Sequence, residues 1–294
     1  MTQLSATEIE SPGWTSRLVP KLEAAGYRRF WSTEHRGPSQ SASPLLVTAI
    51  AGSLTTRIRV GTAGVRLRYY NPLKLAEDAS LLESLFPNRF DLGLIGGRDS
   101  RPEVDQALAL PGSDDIEAKT AELLAYFDGT AQNGARVKSV RAPAPPPVWI
   151  CSLDRTSARN AGCRGLKFAY SVYLPQLKGQ TASTSILSAY RDSFSGKGDP
   201  EAVITCIGAC AGTATAAQTE WARMTKADSR IFKPNSGRDS GGFPSPNFVG
   251  TASECREQLE ELAHQFGVSE LVVQCVSGHL AAKIAAYEML ANAS

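Results

Sequence analysis

The strongest constraint on this chain is an alternation. Short runs rich in Val, Ile, Phe and Trp exchange places with segments of helical period along its length. The runs predict strands at Leu4–Thr7, Arg28–Thr33, Arg57–Ala63, Arg89–Ile95, Val148–Cys151, Lys167–Ser171, Ala202–Cys210 and Glu270–Cys275. Between them, Trp14–Ala25 places Leu18, Leu22 and Ala25 on one helical face and stops at Gly26. Pro44–Leu54 and Pro72–Leu85 open on proline, which suits a first helical turn. Further helices are predicted at Ile116–Phe127, Ser157–Cys163, Ser183–Phe194, Ala214–Ala227, Ala252–Phe266 and Leu280–Ala291. Strict alternation implies parallel strands joined by helical crossovers. Eight strands and about eight helices predict an α/β fold, a (β/α)8 TIM-like barrel. An open doubly wound sheet would want a Gly-rich turn after the first strand, and none is present. The Pro-rich run 142–147 leads straight into a strand, so residues 1–294 are expected to form one domain. The Ser, Gly and Pro-rich stretch 229–248 is expected to be a long functional or mobile loop.

Composition narrows the function classes. Thirty-one basic residues face 29 acidic ones, a net charge of +2, which gives no electrostatic argument for nucleic acid or a membrane surface. No apolar run approaches the roughly 18–20 residues that span a bilayer, and the first residues do not read as a secretory signal. Six cysteines without C-x-x-C spacing and three histidines argue against a zinc site or a disulfide framework. The expectation is a cytoplasmic chain with buried thiols and no metal.

Three blocks carry a family resemblance: GYRRFWSTEH, TTRIRVGTAGVRL and NPLKLAEDASLLESLFPNRFDLGL, all within Gly26–Gly96. Pro146–Gly162 and the segment from Val249 to the C-terminal helix add to it. In their order and spacing they resemble the bacterial luciferase-like flavin monooxygenases. The resemblance implies a barrel with its site at the C-terminal strand ends. It also implies reduced FMN as a diffusible co-substrate, a homodimer, and insertion of one oxygen atom from O2 into a small molecule. No NAD-binding fingerprint is present, so a separate flavin reductase is expected as partner. A deazaflavin-dependent oxidoreductase and a flavin-free binding protein are alternatives on the same fold. The substrate is expected to be a secondary metabolite.

The resemblance assigns roles residue by residue. Glu34-His35 matches the start of the family's Glu-His-His. His35 is therefore the catalytic candidate, a proton donor or base, and Glu34 belongs to the cofactor site. Arg36 replaces the second histidine and cannot act as a base near neutral pH. Ala63 and Gly64 match a strained, often cis, peptide that lets the backbone approach the flavin. Arg36, Arg68 and Tyr69 are candidates for the mouth of a rebuilt substrate pocket. The family's phosphate-binding arginine position is Gly96 here, and the nearest arginine is Arg98. A two-residue shift in an extended chain moves a side chain roughly 6–7 Å. The second phosphate segment reads Ser152-Leu153-Asp154-Arg155-Thr156-Ser157. Ser152, Arg155, Thr156 and Ser157 are the candidates there, while Asp154 would repel a phosphate.

Overall fold

A computed structural model describes residues 2–8, 12–36, 40–99, 101–109, 114–131, 144–227 and 244–293. The chain enters through β1 (Gln3–Glu8), α1 (Pro12–Ala24), β2 (Arg29–Ser32) and α2 (Pro44–Ser53). Next come β3 (Arg59–Thr62), β4 (Val65–Arg66), α3 (Pro72–Leu85) and β5 (Phe90–Ile95). Then α4 (Pro102–Leu108) and α5 (Ile116–Asp128) precede β6 (Val148–Cys151), α6 (Arg155–Cys163), β7 (Lys167–Ser171) and α7 (Ser185–Asp192). It finishes with β8 (Ala202–Cys210), α8 (Ala214–Ala227), β9 (Phe248–Gly250), α9 (Ala252–Phe266), β10 (Glu270–Cys275) and α10 (Leu280–Asn292).

Eight strands close a parallel barrel in the order β8, β10, β1, β2, β3, β5, β6, β7 and back to β8. Closure runs through Leu271↔Ile204 on one side and Gln3↔Glu270 on the other. The eight are those the alternation predicts. Two short strands lie outside the prediction. β4 continues the edge of β3 along β5, pairing Val65 with Leu94 and Arg66 with Ile95. β9 pairs with β8 at the end of the expected 229–248 loop, whose residues 229–243 fall outside the described ones. The predicted strand at Arg57 begins later, at Arg59. The carboxylate of Glu23 on α1 accepts from the backbone N–H groups of Thr56, Arg57 and Ile58, which holds them out of the ladder.

The main core lies between sheet and helices, around residues such as Leu22, Phe30, Phe168, Tyr190, Leu259 and Tyr287. Inside the barrel the filling is layered. Trp31 and Trp149 meet edge to face at 5.0 Å, with Val203 and Val272 beside them. Toward the N-terminal strand ends the interior is ionic. Arg29 is 1% exposed and spends its whole guanidinium on carboxylates. Nε donates to Glu270 at 2.5 Å, Nη1 to Asp91 at 2.8 Å, and Nη2 to Glu270 at 2.9 Å and to Glu201 at 3.3 Å. Asp91 also accepts from Arg59 and from Trp31. Burial works against its charge, but Arg29 and Arg59 overcome it and hold the carboxyl below its ordinary range. This plug closes the N-terminal end and leaves the C-terminal rim as the open face.

All six cysteines are free. Four are buried, as expected, while Cys163 is exposed and Cys151 half-buried at the rim. The described helices include none long and apolar enough to cross a membrane, and no cluster of metal-ligating side chains occurs among the described residues.

Candidate active site

Glu34, His35 and Arg36 follow the end of β2, and Ala63–Gly64 forms the break between β3 and β4. Thr156 lies in the first turn of α6 after β6, so these segments all stand at the C-terminal rim. The Ala63–Gly64 peptide is cis. A Cβ on Gly64 would lie 2.5 Å from the Gly93 carbonyl, so only glycine fits where this turn crosses β5.

Glu34 is fully buried. Its carboxylate accepts from the Arg66 backbone N–H at 2.8 Å, from the Arg36 guanidinium, and from the Tyr70 hydroxyl. It therefore ties β2 to β4 and orients Arg36. The His35 N–H donates to the Ser41 carbonyl at 2.9 Å, and its ring Nδ1 lies 3.0 Å from the Thr33 hydroxyl. Burial and the nearby Arg66 and Arg36 charges, against a smaller opposing pull from Asp99, push the imidazole down to about 4. The ring is neutral at physiological pH and is a base or hydrogen-bonding group rather than a ready acid.

A cleft of about 720 Å³ opens between the ends of β5 and β6. Gly96 and Gly97 form one wall, and Ser152, Thr156 and Ser157 the other. This juxtaposes the two segments that the resemblance assigns to phosphate. The electrostatics do not suit one. Asp115, Glu117 and Asp154 line the cleft, and no lysine or arginine does among the described residues. The Asp154 carboxylate accepts from the Ser157 N–H at 2.8 Å and from its hydroxyl at 3.2 Å, so α6 carries its own anion as N-cap. Asp115 caps α5 in the same way, through the N–H groups of Glu117 and Ala118. Arg155 is exposed and turns to the Ser185 carbonyl at 3.4 Å. The half-exposed Arg98 is paired with Asp105 and Asp114.

Sequence reasoning passed over Arg66. Its Nη1 donates to the carbonyls of Gly97 and Arg98, at 3.1 and 2.6 Å, so it braces the β5 wall where the family's arginine is missing. Arg68 adds Nη2 to the Gly96 carbonyl at 3.4 Å and pairs with Asp114 at 2.7 Å. Arg36 lies over the Tyr69 ring at 5.4 Å, and the Tyr69 hydroxyl bonds Asp105 at 2.6 Å and receives the Asp99 N–H. Among the described residues, three buried guanidinium nitrogens here find no hydrogen-bond partner: Arg36 Nη1, Arg66 Nε and Arg68 Nε. An arginine directly after Val65 was the available signal, but only the β4–β5 register shows what it reaches.

For a flavin, the rim thus splits in two. His35, Glu34 and the cis Ala63–Gly64 turn offer the ring the groups that the resemblance implies. The acid-capped α6 N-terminus does not fit a phosphate.

Fold and rim geometry together define a parallel eight-stranded barrel whose candidate site lies at the C-terminal strand ends. A luciferase-like monooxygenase family model matches residues 2–270, and the chain belongs to that family. It is 28% identical to the uncharacterized protein YceB of Bacillus subtilis strain 168, covering 99% of this chain and 97% of that one. It is 27% identical to a luciferase-like monooxygenase of Escherichia coli K12 over 87% and 83% of the two chains. Among solved structures, apo-MsnO8 superposes with a TM-score of 0.84 at 27% identity, covering 99% and 98%. The oxygenating constituent of 3,6-diketocamphane monooxygenase from Pseudomonas putida, in complex with FMN, shares the fold at 15% identity and a TM-score of 0.73, over 99% and 97% of the chains. So does an F420-dependent secondary alcohol dehydrogenase at 14% and 0.74, over 98% of each chain.

Proposed function

We propose that this chain is a flavin-dependent monooxygenase that takes reduced FMN from a separate reductase and oxygenates a small organic substrate, of the secondary-metabolite class, in a reducing cytoplasm. One observation carries the reading: buried Glu34, neutral His35 and the cis Ala63–Gly64 turn meet at one rim. Bound reduced flavin would supply the electrons that activate O2. The chain would hold the ring against Ala63–Gly64 and exclude water around it. The Thr33 contact anchors His35 through Nδ1, so proton transfer would use Nε2. Glu34 keeps Arg36 and the β4 backbone in register beside that ring.

The same reading includes one barrel domain over 1–294 and a homodimer. The exposed large hydrophobics among the described residues are Leu46, Ile50 and Leu54 on and just past α2, and Leu81 and Leu85 on α3. The spacings are four residues, one face of each helix. A two-fold contact would cover both stripes with a second copy. The expected result is a dimer in sedimentation and a monomer for Leu46→Glu with Ile50→Glu.

An anaerobic titration of the protein with reduced FMN tests the cofactor. Saturable binding at micromolar levels supports the reading. If neither FMN nor riboflavin binds at high micromolar levels, the reading fails. The flavin-free alternative draws on the acid-capped α6, and a deazaflavin titration run in parallel separates the remaining one.

A further inference from the structure

We propose that Cys210 and Cys255 form a peroxide-sensitive thiol pair, a modification site that closes to a disulfide and fastens the start of α9 to the end of β8. The inference does not depend on the flavin reading above.

Chain geometry brings the two thiols together. Side chains alternate along β8, so Ala209 packs with Ile207 and Val276, while Cys210 turns the other way into the main core. Cys210 pairs with Gly250 at the end of β9, and Thr251 caps α9 directly after it. The capping box of Thr251 and Glu254 sets where the helix starts. One turn on, the Cys255 N–H donates to the Thr251 carbonyl at 2.9 Å. The Cys255 thiol donates back to the carbonyl of Ala209, the residue before Cys210, at 3.7 Å. Gln258 grips both backbone groups of Val249, accepting from its N–H at 3.0 Å and donating to its carbonyl at 3.2 Å. The first turns of α9 are thus fixed against β9, and through it against β8. Cys255 is fully buried, while Cys210 keeps 7% exposure.

The pair is unequal, which suits redox chemistry. The Cys255 S–H is shared with the Cys210 sulfur, and this bond holds the Cys210 thiol below its ordinary range against burial. The same bond, with burial, pushes the Cys255 thiol up. A thiolate is the nucleophile, so the partly accessible Cys210 reacts first. Its sulfur attacks one oxygen of hydrogen peroxide and the O–O bond breaks. Cys210 becomes a sulfenic acid, and the departing hydroxide takes up the Cys210 proton as water. The Cys255 sulfur then attacks the Cys210 sulfur. The S–S bond forms, the S–O bond breaks, and the hydroxyl leaves with the Cys255 proton as a second water. Two electrons pass from sulfur to the peroxide. The cross-link would enclose α8 and β9 in one covalent loop. Cys275, opposite Gly208 on β10, lies in the same core and is the competing thiol.

The test treats the reduced native chain with hydrogen peroxide, then alkylates it under denaturing conditions and maps its peptides by mass. The expected result is one new disulfide joining the Cys210 and Cys255 peptides, with loss of both thiols and full reversal by dithiothreitol. Cys255→Ser should leave Cys210 as a sulfenic acid that dimedone traps, whereas Cys210→Ser should leave Cys255 unlabelled. Cys275→Ser should keep the cross-link. The wild-type map decides the matter even where a serine variant fails to fold. Exposed Cys163 reports that peroxide has acted on the sample. Oxidation of Cys163 while Cys210 and Cys255 stay thiols overturns the proposal. So does a disulfide that joins Cys275 to either of them.

Discussion

Arginines and carboxylates gather at both ends of this barrel, but the two clusters are finished differently. At the N-terminal end Arg29 has an acceptor for every nitrogen, and Asp91 and Glu270 are nearly inaccessible to solvent. At the C-terminal rim Arg36, Arg66 and Arg68 are partly exposed, and each keeps one buried nitrogen without a hydrogen-bond partner among the described residues. A paired buried charge positions strands against one another, whereas an unpaired donor is available to a ligand. The difference separates an end built for stability from the end proposed to meet ligand.

The contrast breaks most directly at Arg29. Arg29→Met would strip the buried guanidinium from Asp91 and Glu270, leaving Asp91 with Arg59 and Trp31 and Glu270 with Arg28 and Ser5, and unfolding in urea should show a loss of about 3 kcal/mol. If stability is unchanged, the plug is not structural. At the rim, His35→Ala should leave the urea midpoint nearly unmoved while turnover falls about 10² to 10⁴-fold, if His35 transfers a proton. Survival of activity within a few-fold would make His35 a packing residue.

Acid should separate the ends by pH. His35 titrates near 4 when folded and near 6.5 when unfolded, so the unfolded chain takes up the extra proton between those values. Its contribution is full above about pH 6.5 and is lost as pH falls toward 4. Asp91 is held below its ordinary 3.8, so its contribution survives that window and is lost only at lower pH. NMR titration of the His35 ring, alongside unfolding midpoints from pH 7 to 3, checks both steps. Burial is the largest influence on the ring, followed by the charges of Arg66, Asp99 and Arg36, and Arg66→Ala should raise its titration midpoint. The smallest effect belongs to Arg98→Ala. Its pairs with Asp105 and Asp114 lie in solvent, and the unfolding midpoint should barely move.

Much of the fold was legible because its signals are local. Strand periodicity and the opening prolines of α2 and α3 need only neighbouring residues. The α4 helix escaped notice because its seven residues bury nothing and so carry no apolar face. At the site, Glu34, His35 and Ala63–Gly64 were legible as a motif. What was not legible depends on register. Arg29, Asp91 and Glu270 read as charges at the starts of three apolar strands, and only the barrel closes them into one network. Likewise Asp154 reads as a repulsive residue beside a helix start, but that it caps α6 is visible only in the backbone geometry. Arg66 needed both the β4 pairing and the empty Gly96 position to stand out.

The central claim is that ligand meets the C-terminal rim and leaves the N-terminal plug alone. Hydrogen–deuterium exchange, with and without saturating reduced FMN, tests it on the native chain. The account predicts new protection in 33–36, 63–68 and 94–99, with Arg29, Asp91 and Glu270 and their strand starts unchanged. Protection centred on those strand starts, or no change at the rim despite saturation, would contradict it.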